Sequence, residues 1–301
     1  MNLAALRHLR YGPHFLSETR RGLLDMMLAG FLFSLMNACV YAVKLFDANL
    51  PATVVSFVRV LVNLLILLVP ALLRSKLTVL FGDRRPSLWL RGLFGTLALM
   101  LSFSAITLIG PGESAFLSAS SGVFVALFGP WVLGQKNSWA VWLAILGSFA
   151  GVALLFKPDG HSVDLFGRAL ALLSGFLAAM AYLMVARAGR SNSPQSVVFY
   201  FCLVAIVVHL LYFTAYGSHL PSSPESYGLL LLTGVLGSGA QFFMTRAYQA
   251  APAALVSAVG YLAPVLSLVW GVALFNQLPG LYAVLGSVLI LLFGVLLPFL
   301  R

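Results

Sequence analysis

The chain has 301 residues, of which 61% are hydrophobic and only 9% charged, with a mean hydropathy of +1.00 and a formal net charge of +10. A soluble domain carries about 25% charged residues, so this composition excludes an ordinary water-soluble fold. The basic excess would suit a nucleic-acid partner if it were clustered, but it is spread over the short segments between apolar runs, and no nucleic-acid partner is expected.

Apolar runs of roughly 20 residues, the length of a membrane-spanning helix, fall at about 23–45, 52–73, 89–109, 113–133, 138–156, 165–186, 196–216, 227–247, 253–275 and 280–299. They lack the apolar/polar alternation of barrel strands, and a lipid-exposed backbone must satisfy its own hydrogen bonds. The expected fold class is an all-α polytopic membrane protein with ten transmembrane helices. Residues 1–21 read as a cytoplasmic N-terminal arm carrying Arg7, Arg10, Arg20 and Arg21, and not as a signal peptide. With the N-terminus inside, the inner segments also hold Arg74, Lys76, Arg84, Arg85, Arg91, Lys136, Arg187, Arg190, Arg246 and Arg301, against Lys44, Lys157 and Arg168 outside. This asymmetry predicts both termini in the cytoplasm. Trp89, Trp131, Trp139 and Trp142 fall near inner helix ends, as an aromatic belt does.

In chain order, the first helix carries Asn37 and Tyr41 on one face. The second, "TVVSFVRVLVNLLILL", places Arg59 about 10 Å below the outer surface at ~1.5 Å per residue, with Asn63 one turn further in. Arg59 lines a cavity and meets an anionic group, or else it snorkels or pairs structurally. Glu113, at the outer start of the fourth helix, is near enough in depth to form a reversible outer gate with Arg59, or is a solvated carboxylate favoured by the helix dipole. Further along that helix, "SASSG" brings Ser121 and Gly122 to mid-membrane as a hinge or a close-packing patch. In the fifth helix "GSFAG" sets Gly147 and Gly151 at a spacing suited to a homodimer seam or an internal contact. Tyr182 follows in the sixth helix. His209 in the seventh is a candidate for proton coupling or a bond to a neighbouring helix. Gln241 and Thr245 share a face of the eighth, which Arg246 ends as an interface anchor or a ligand. Tyr261 and Pro264 lie in the ninth, where proline removes a backbone hydrogen bond. Asn37, Tyr41, Arg59, Asn63, Tyr182, Gln241, Thr245 and Tyr261 together suggest a substrate cavity, gated by Glu113, Ser121, Gly122 and Pro264.

The chain also repeats. "LRGLFGTLALMLSFSA" from Leu90 aligns without a gap on "LTGVLGSGAQFFMTRA" from Leu232, matching Gly92 to Gly234, Gly95 to Gly237 and Ala98 to Ala240; the register holds until Gln135 meets Gln277. Each half, 22–158 and 165–299, then holds five helices. An odd number inserts the halves in opposite senses, as inverted five-helix repeats. In the second half Cys202 stands where Arg59 stands in the first, so the repeat does not require that charge.

The second half, with Pro264, Val265, Gly271, Gly286, Leu289, Ile290 and Gly294, resembles the tandem EamA-type transporters of the drug/metabolite transporter superfamily, and "FVRVLVNLLILL" resembles the family's second helix. The family usually has a glutamate after the fourth helix of each half; here Gln135 and Gln277 replace it, so a role needing the charge is lost while a helix-capping role survives. The resemblance implies alternating access, in the export direction, of small amphiphilic metabolites such as amino acids. A lipid or isoprenoid-phosphate translocator is the alternative. No catalytic constellation, metal-ligand spacing or phosphate loop is present, so neither an enzyme activity nor a cofactor is expected, and transport is passive or gradient-driven. Cys39 and Cys202 lie inside helices and argue against a disulfide framework. The expected setting is the bacterial inner membrane, with lipids as partners besides the substrate.

Overall fold

The computed structural model describes residues 13–156, 164–276 and 278–296. The front of the arm (with Arg7 and Arg10), most of the loop joining the halves, Gln277, Arg301 and the Glu113 side chain lie outside the described residues. The helices are α1 (Pro13–Phe46), α2 (Ala52–Leu73), α3 (Thr78–Phe81), α4 (Pro86–Ser118), α5 (Ser121–Leu133), α6 (Trp139–Phe156), α7 (Leu165–Ala188), α8 (Pro194–Tyr216), α9 (Pro224–Ala250), α10 (Ala253–Gly260), α11 (Leu262–Phe275) and α12 (Leu281–Leu289), which continues as a π-helical stretch over Ile290–Leu296. Among the described residues, eight helical segments are long and apolar enough to cross a membrane, and Leu281–Leu296 is a shorter apolar helix. Large apolar side chains such as Leu211, Leu231, Leu274 and Leu285 face outward, as a lipid-facing surface requires. The chain is a multi-pass integral membrane protein.

α4 is more than one straight rod. The Ser114 hydroxyl lies 3.4 Å from the Ser102 carbonyl oxygen, yet twelve residues of unbroken helix span about 18 Å. The chain therefore turns back between Ser102 and Ser114.

The ends of the helices follow from local chemistry. Asp164, Ser193 and Ser223 accept hydrogen bonds from the backbone N–H of Gly167, Ser196 and Ser226 at the starts of α7, α8 and α9. α5 and α11 both end on a left-handed residue, Gly134 (φ +70°) and Asn276 (φ +54°), the residue types that tolerate it. These two positions match in the repeat. Pro130 inside α5 leaves the Ala126 carbonyl without its helical donor, and the Asn137 side-chain amide supplies one at 2.5 Å. Gln135, next to the Gly134 cap, accepts a hydrogen bond from the Ala253 N–H at 3.0 Å, where α10 begins. It is a helix cap that works without the glutamate charge.

The two halves pack reciprocally. α4 lies along α7 and α9 along α1, so the third helix of each half meets the first of the other. α5 on α7 answers α11 on α1, α4 on α8 answers α9 on α2, and α2 meets α8 and α6 meets α12 directly. Such i-to-j, j-to-i packing is what a two-fold axis imposes.

Candidate functional site

Where the halves meet, two helices are broken. α4 gives way to α5 at Ala119 and Ser120, and α10 to α11 at Tyr261. In α11, Pro264 has no N–H to offer the Gly260 carbonyl, which accounts for the second break. The two breaks touch: the Tyr261 hydroxyl donates to the Ala119 carbonyl at 2.8 Å. Gly122 is needed here, because a Cβ at that position would run into the Tyr261 phenol.

Between the breaks lies a cavity of about 410 Å³, within the size range of small-molecule sites. Asn37, Arg59, Tyr182, Gln241 and Tyr261 line it, as do Ser121, Gly122 and Pro264. Three other expected substrate contacts lie elsewhere. Tyr41, a turn beyond Asn37, faces outward and packs edge-on against Phe275 at 4.7 Å. Asn63 is buried away from the cavity, and Thr245 is buried with its hydroxyl bonded to the Gln241 carbonyl of its own helix. Sharing a helical face with a lining residue did not suffice, because one turn of a tilted helix moves a side chain from the cavity to a neighbour.

His209 is also away from the cavity and fully buried. Its Nδ1–H donates to the Ala205 carbonyl at 2.7 Å, and its Nε2, 3.1 Å away, accepts from the Ser56 hydroxyl of α2. This histidine ties two helices together. Arg246 forms an ion pair with Asp25 at 3.2 Å and lies against Phe242 and Phe243. Gly147 and Gly151 form an internal seam, Gly147 under the Phe293 ring and Gly151 against the backbone of Gly286 and Ile290. That seam is not available to a second copy.

The sequence reading missed part of the lining. Arg91, counted among the inner anchoring charges, is 3% exposed and points into the cavity, its guanidinium 4.5 Å from the centre of the Phe201 ring. Its signal was its place as the sixth residue of α4, already inside the helix, opposite Thr233 in the repeat. Tyr248 stacks on Tyr182 at 5.1 Å and bonds Ser257, and Ser102, Ser118 and Ser174 add hydroxyls. The Gln241 amide nitrogen is buried without a partner. Arg59 sits 5.7 Å from the Phe33 ring. Neither cavity arginine has a carboxylate or carbonyl partner among the described residues. An arginine at membrane depth costs ~2.5–3.5 kcal/mol on insertion scales, so two of them are a large outlay for a fold to carry.

Two stretches, residues 20–157 and 165–299, match the EamA-like transporter family. This chain belongs to that family. It is 32% identical over 272 residues to the pseudopaline exporter of Pseudomonas aeruginosa, covering 90% of this chain and 93% of the relative. It is 26% identical over 279 residues to the riboflavin transporter of Vibrio cholerae, with 90% and 91% covered, and 26% identical over 283 residues to solute carrier family 35 member G1 of Mus musculus, with 88% and 75% covered. A solved crystal structure superposes with a TM-score of 0.76 at 18% identity over 91% of this chain and 96% of the other, a likeness of fold alone. Relatives are named as transporters, and this EamA-family chain is a transporter.

Proposed function

We propose that the chain is a secondary transporter that exports small amphiphilic metabolites, amino-acid-like in size, across a bacterial inner membrane by alternating access. The observation that carries the reading is the cavity at the junction of the halves, bounded on both sides by broken helices that touch through Tyr261 and Ala119. Broken helices at a repeat interface are where such carriers hold substrate. The reciprocal packing, the turn inside α4 and the two matched stretches support ten spans in two inverted repeats, 22–158 and 165–299, and the excess of Lys and Arg in alternate connecting segments supports the arm 1–21 and both termini in the cytoplasm. The direction is supported by the named exporter among the relatives. The relatives named for an activity are transporters, and the reading is of a carrier.

Reconstituted protein supplied with a metabolite library, with and without a pH gradient, tests this. Saturable movement of soluble solutes is expected, and Arg59→Ala should abolish it with protein still folded in the membrane. Flipping of labelled lipid with no solute movement would replace the reading by that of a lipid translocator.

A further inference from the structure

The geometry points to a two-cation receptor: the cavity binds a small organic dianion, in the simplest case a dicarboxylate, with one acidic group on Arg59 and the other on Arg91. The inference rests on the transport reading and names its substrate class.

Arginine remains charged under all physiological conditions and presents a planar fork of N–H donors matched to a carboxylate. Among the described residues the forks have no carboxylate or carbonyl acceptor. Each described carboxylate of the chain is engaged or distant. Asp25 pairs with Arg246, Asp83 lies beside Arg85, Asp47 accepts from the Ser222 N–H, and Asp164 caps α7. Glu18 and Glu225 are exposed near helix starts. The Arg91 guanidinium lies over the Phe201 ring and Arg59 lies near Phe33. Such ring contacts support a guanidinium while leaving its N–H edge free to bond.

Space is made for both groups by the same device. A Cβ on Gly95 would strike the Arg91 guanidinium, and one on Gly237 would come within 3.0 Å of the Arg59 Nε. Gly95 and Gly237 are equivalent in the repeat, so the fold offers two matching seats, and arginines occupy both. The arginines reach them from opposite ends of the bundle. Arg59 lies about 10 Å along α2 and Arg91 about 8 Å along α4, so in a ~30 Å core their Cα atoms differ in depth by roughly 12 Å. Two cations brought to one cavity from different helices suit two separate acidic groups on one skeleton. The unpartnered Gln241 amide offers a further donor between them, and the stacked Tyr182 and Tyr248 rings form an apolar wall.

A lipid with a doubly charged headgroup offers the same anionic chemistry, and the test separates it. Purified protein is titrated with succinate, glutarate and adipate, and with their monocarboxylate counterparts of equal length, following the ligand-induced rise in Tm and counterflow in proteoliposomes. The expected result is at least tenfold preference for the dianions. Arg59→Gln and Arg91→Gln should each remove that preference by weakening dianion binding tenfold or more, with monoanion binding unchanged, and Arg91→Lys should restore part of it. Size-exclusion profiles identify a variant that fails to fold, in which case the lysine variants and the dependence of wild-type affinity on ligand charge decide. Monoanions or cations preferred by the wild type, or glutamine variants that bind dianions as the wild type does, overturn the inference. Arginine-dependent flipping of labelled phosphatidic acid with no dicarboxylate binding overturns it in favour of lipid. Dianion binding without movement of any solute leaves the site standing and refutes the transport reading instead.

Discussion

Tyr261→Phe removes a single oxygen, the one that joins the two helix breaks. The Ala119 carbonyl then loses its donor. A typical intramolecular hydrogen bond contributes about 1 kcal/mol net, which is roughly a fivefold change in an equilibrium at RT ≈ 0.59 kcal/mol. Gly122→Ala attacks the same contact from the other side, with its new methyl driven against the phenol and the ring Cζ at 2.8 Å; overpacking of this kind costs about 1–3 kcal/mol. Because both changes act on one contact, they should not add. Tyr261→Phe takes away the nearest clashing atom, so the double variant should be less damaged than the sum of the singles by at least about 0.5 kcal/mol. Thermal unfolding in detergent measures the stability cycle, and proteoliposome counterflow measures whether each variant changes the rate of exchange between the two cavity-open states. Strict additivity, together with wild-type counterflow in Tyr261→Phe, would refute the idea that the breaks are mechanically joined.

Gln135→Ala should lower stability by about 0.5–2 kcal/mol through loss of the α10 cap, whereas Gln135→Glu should retain it, since a carboxylate accepts the same Ala253 N–H and suits a helix N-terminus; thermal shifts of the two variants decide. His209→Ala should cost about 1–3 kcal/mol, because the Ser56 hydroxyl and Ala205 carbonyl lose their partner, and should leave the pH profile of transport unchanged; a flattened profile would instead make His209 a proton carrier. Gly151→Leu should separate α6 from α12, where Gly286 lies against it, and reduce the yield of folded protein, read by size-exclusion chromatography, without shifting any dimer equilibrium.

Long apolar runs and spaced glycines carried most of the fold. A 20-residue run declares a span by itself, and Gly92, Gly95, Gly234 and Gly237 carry the repeat because each sits where a side chain packs too close for a Cβ. The helix break at Tyr261 was legible too, since Pro264 interrupts a helix whatever surrounds it. The cavity was legible only in part. Asn37 and Gln241 were found by depth and polarity, but Tyr41, Asn63 and Thr245 have those properties too and point elsewhere. Arg91 was hidden by its position: five residues into α4 a charge reads as an anchor reaching back to water, and only the packing of α8, with Phe201 against the guanidinium, turns it inward. Facing is a tertiary property, and polarity at a given depth does not encode it.

If the cavity takes a dianion as proposed, the two guanidiniums, which have no acidic partner among the described residues, also make the empty cavity sensitive to voltage. One elementary charge crossing the full membrane potential is worth about 2.3 kcal/mol per 100 mV. The unloaded carrier is cationic at its centre, so a negative interior draws it towards the state that opens inward. A doubly anionic occupant cancels that charge and lets the loaded carrier turn regardless of the field. On the proposed reading of a dianion exporter, the membrane potential would then reset the empty half of the cycle towards the cytoplasm, and the field itself would drive the carrier outward.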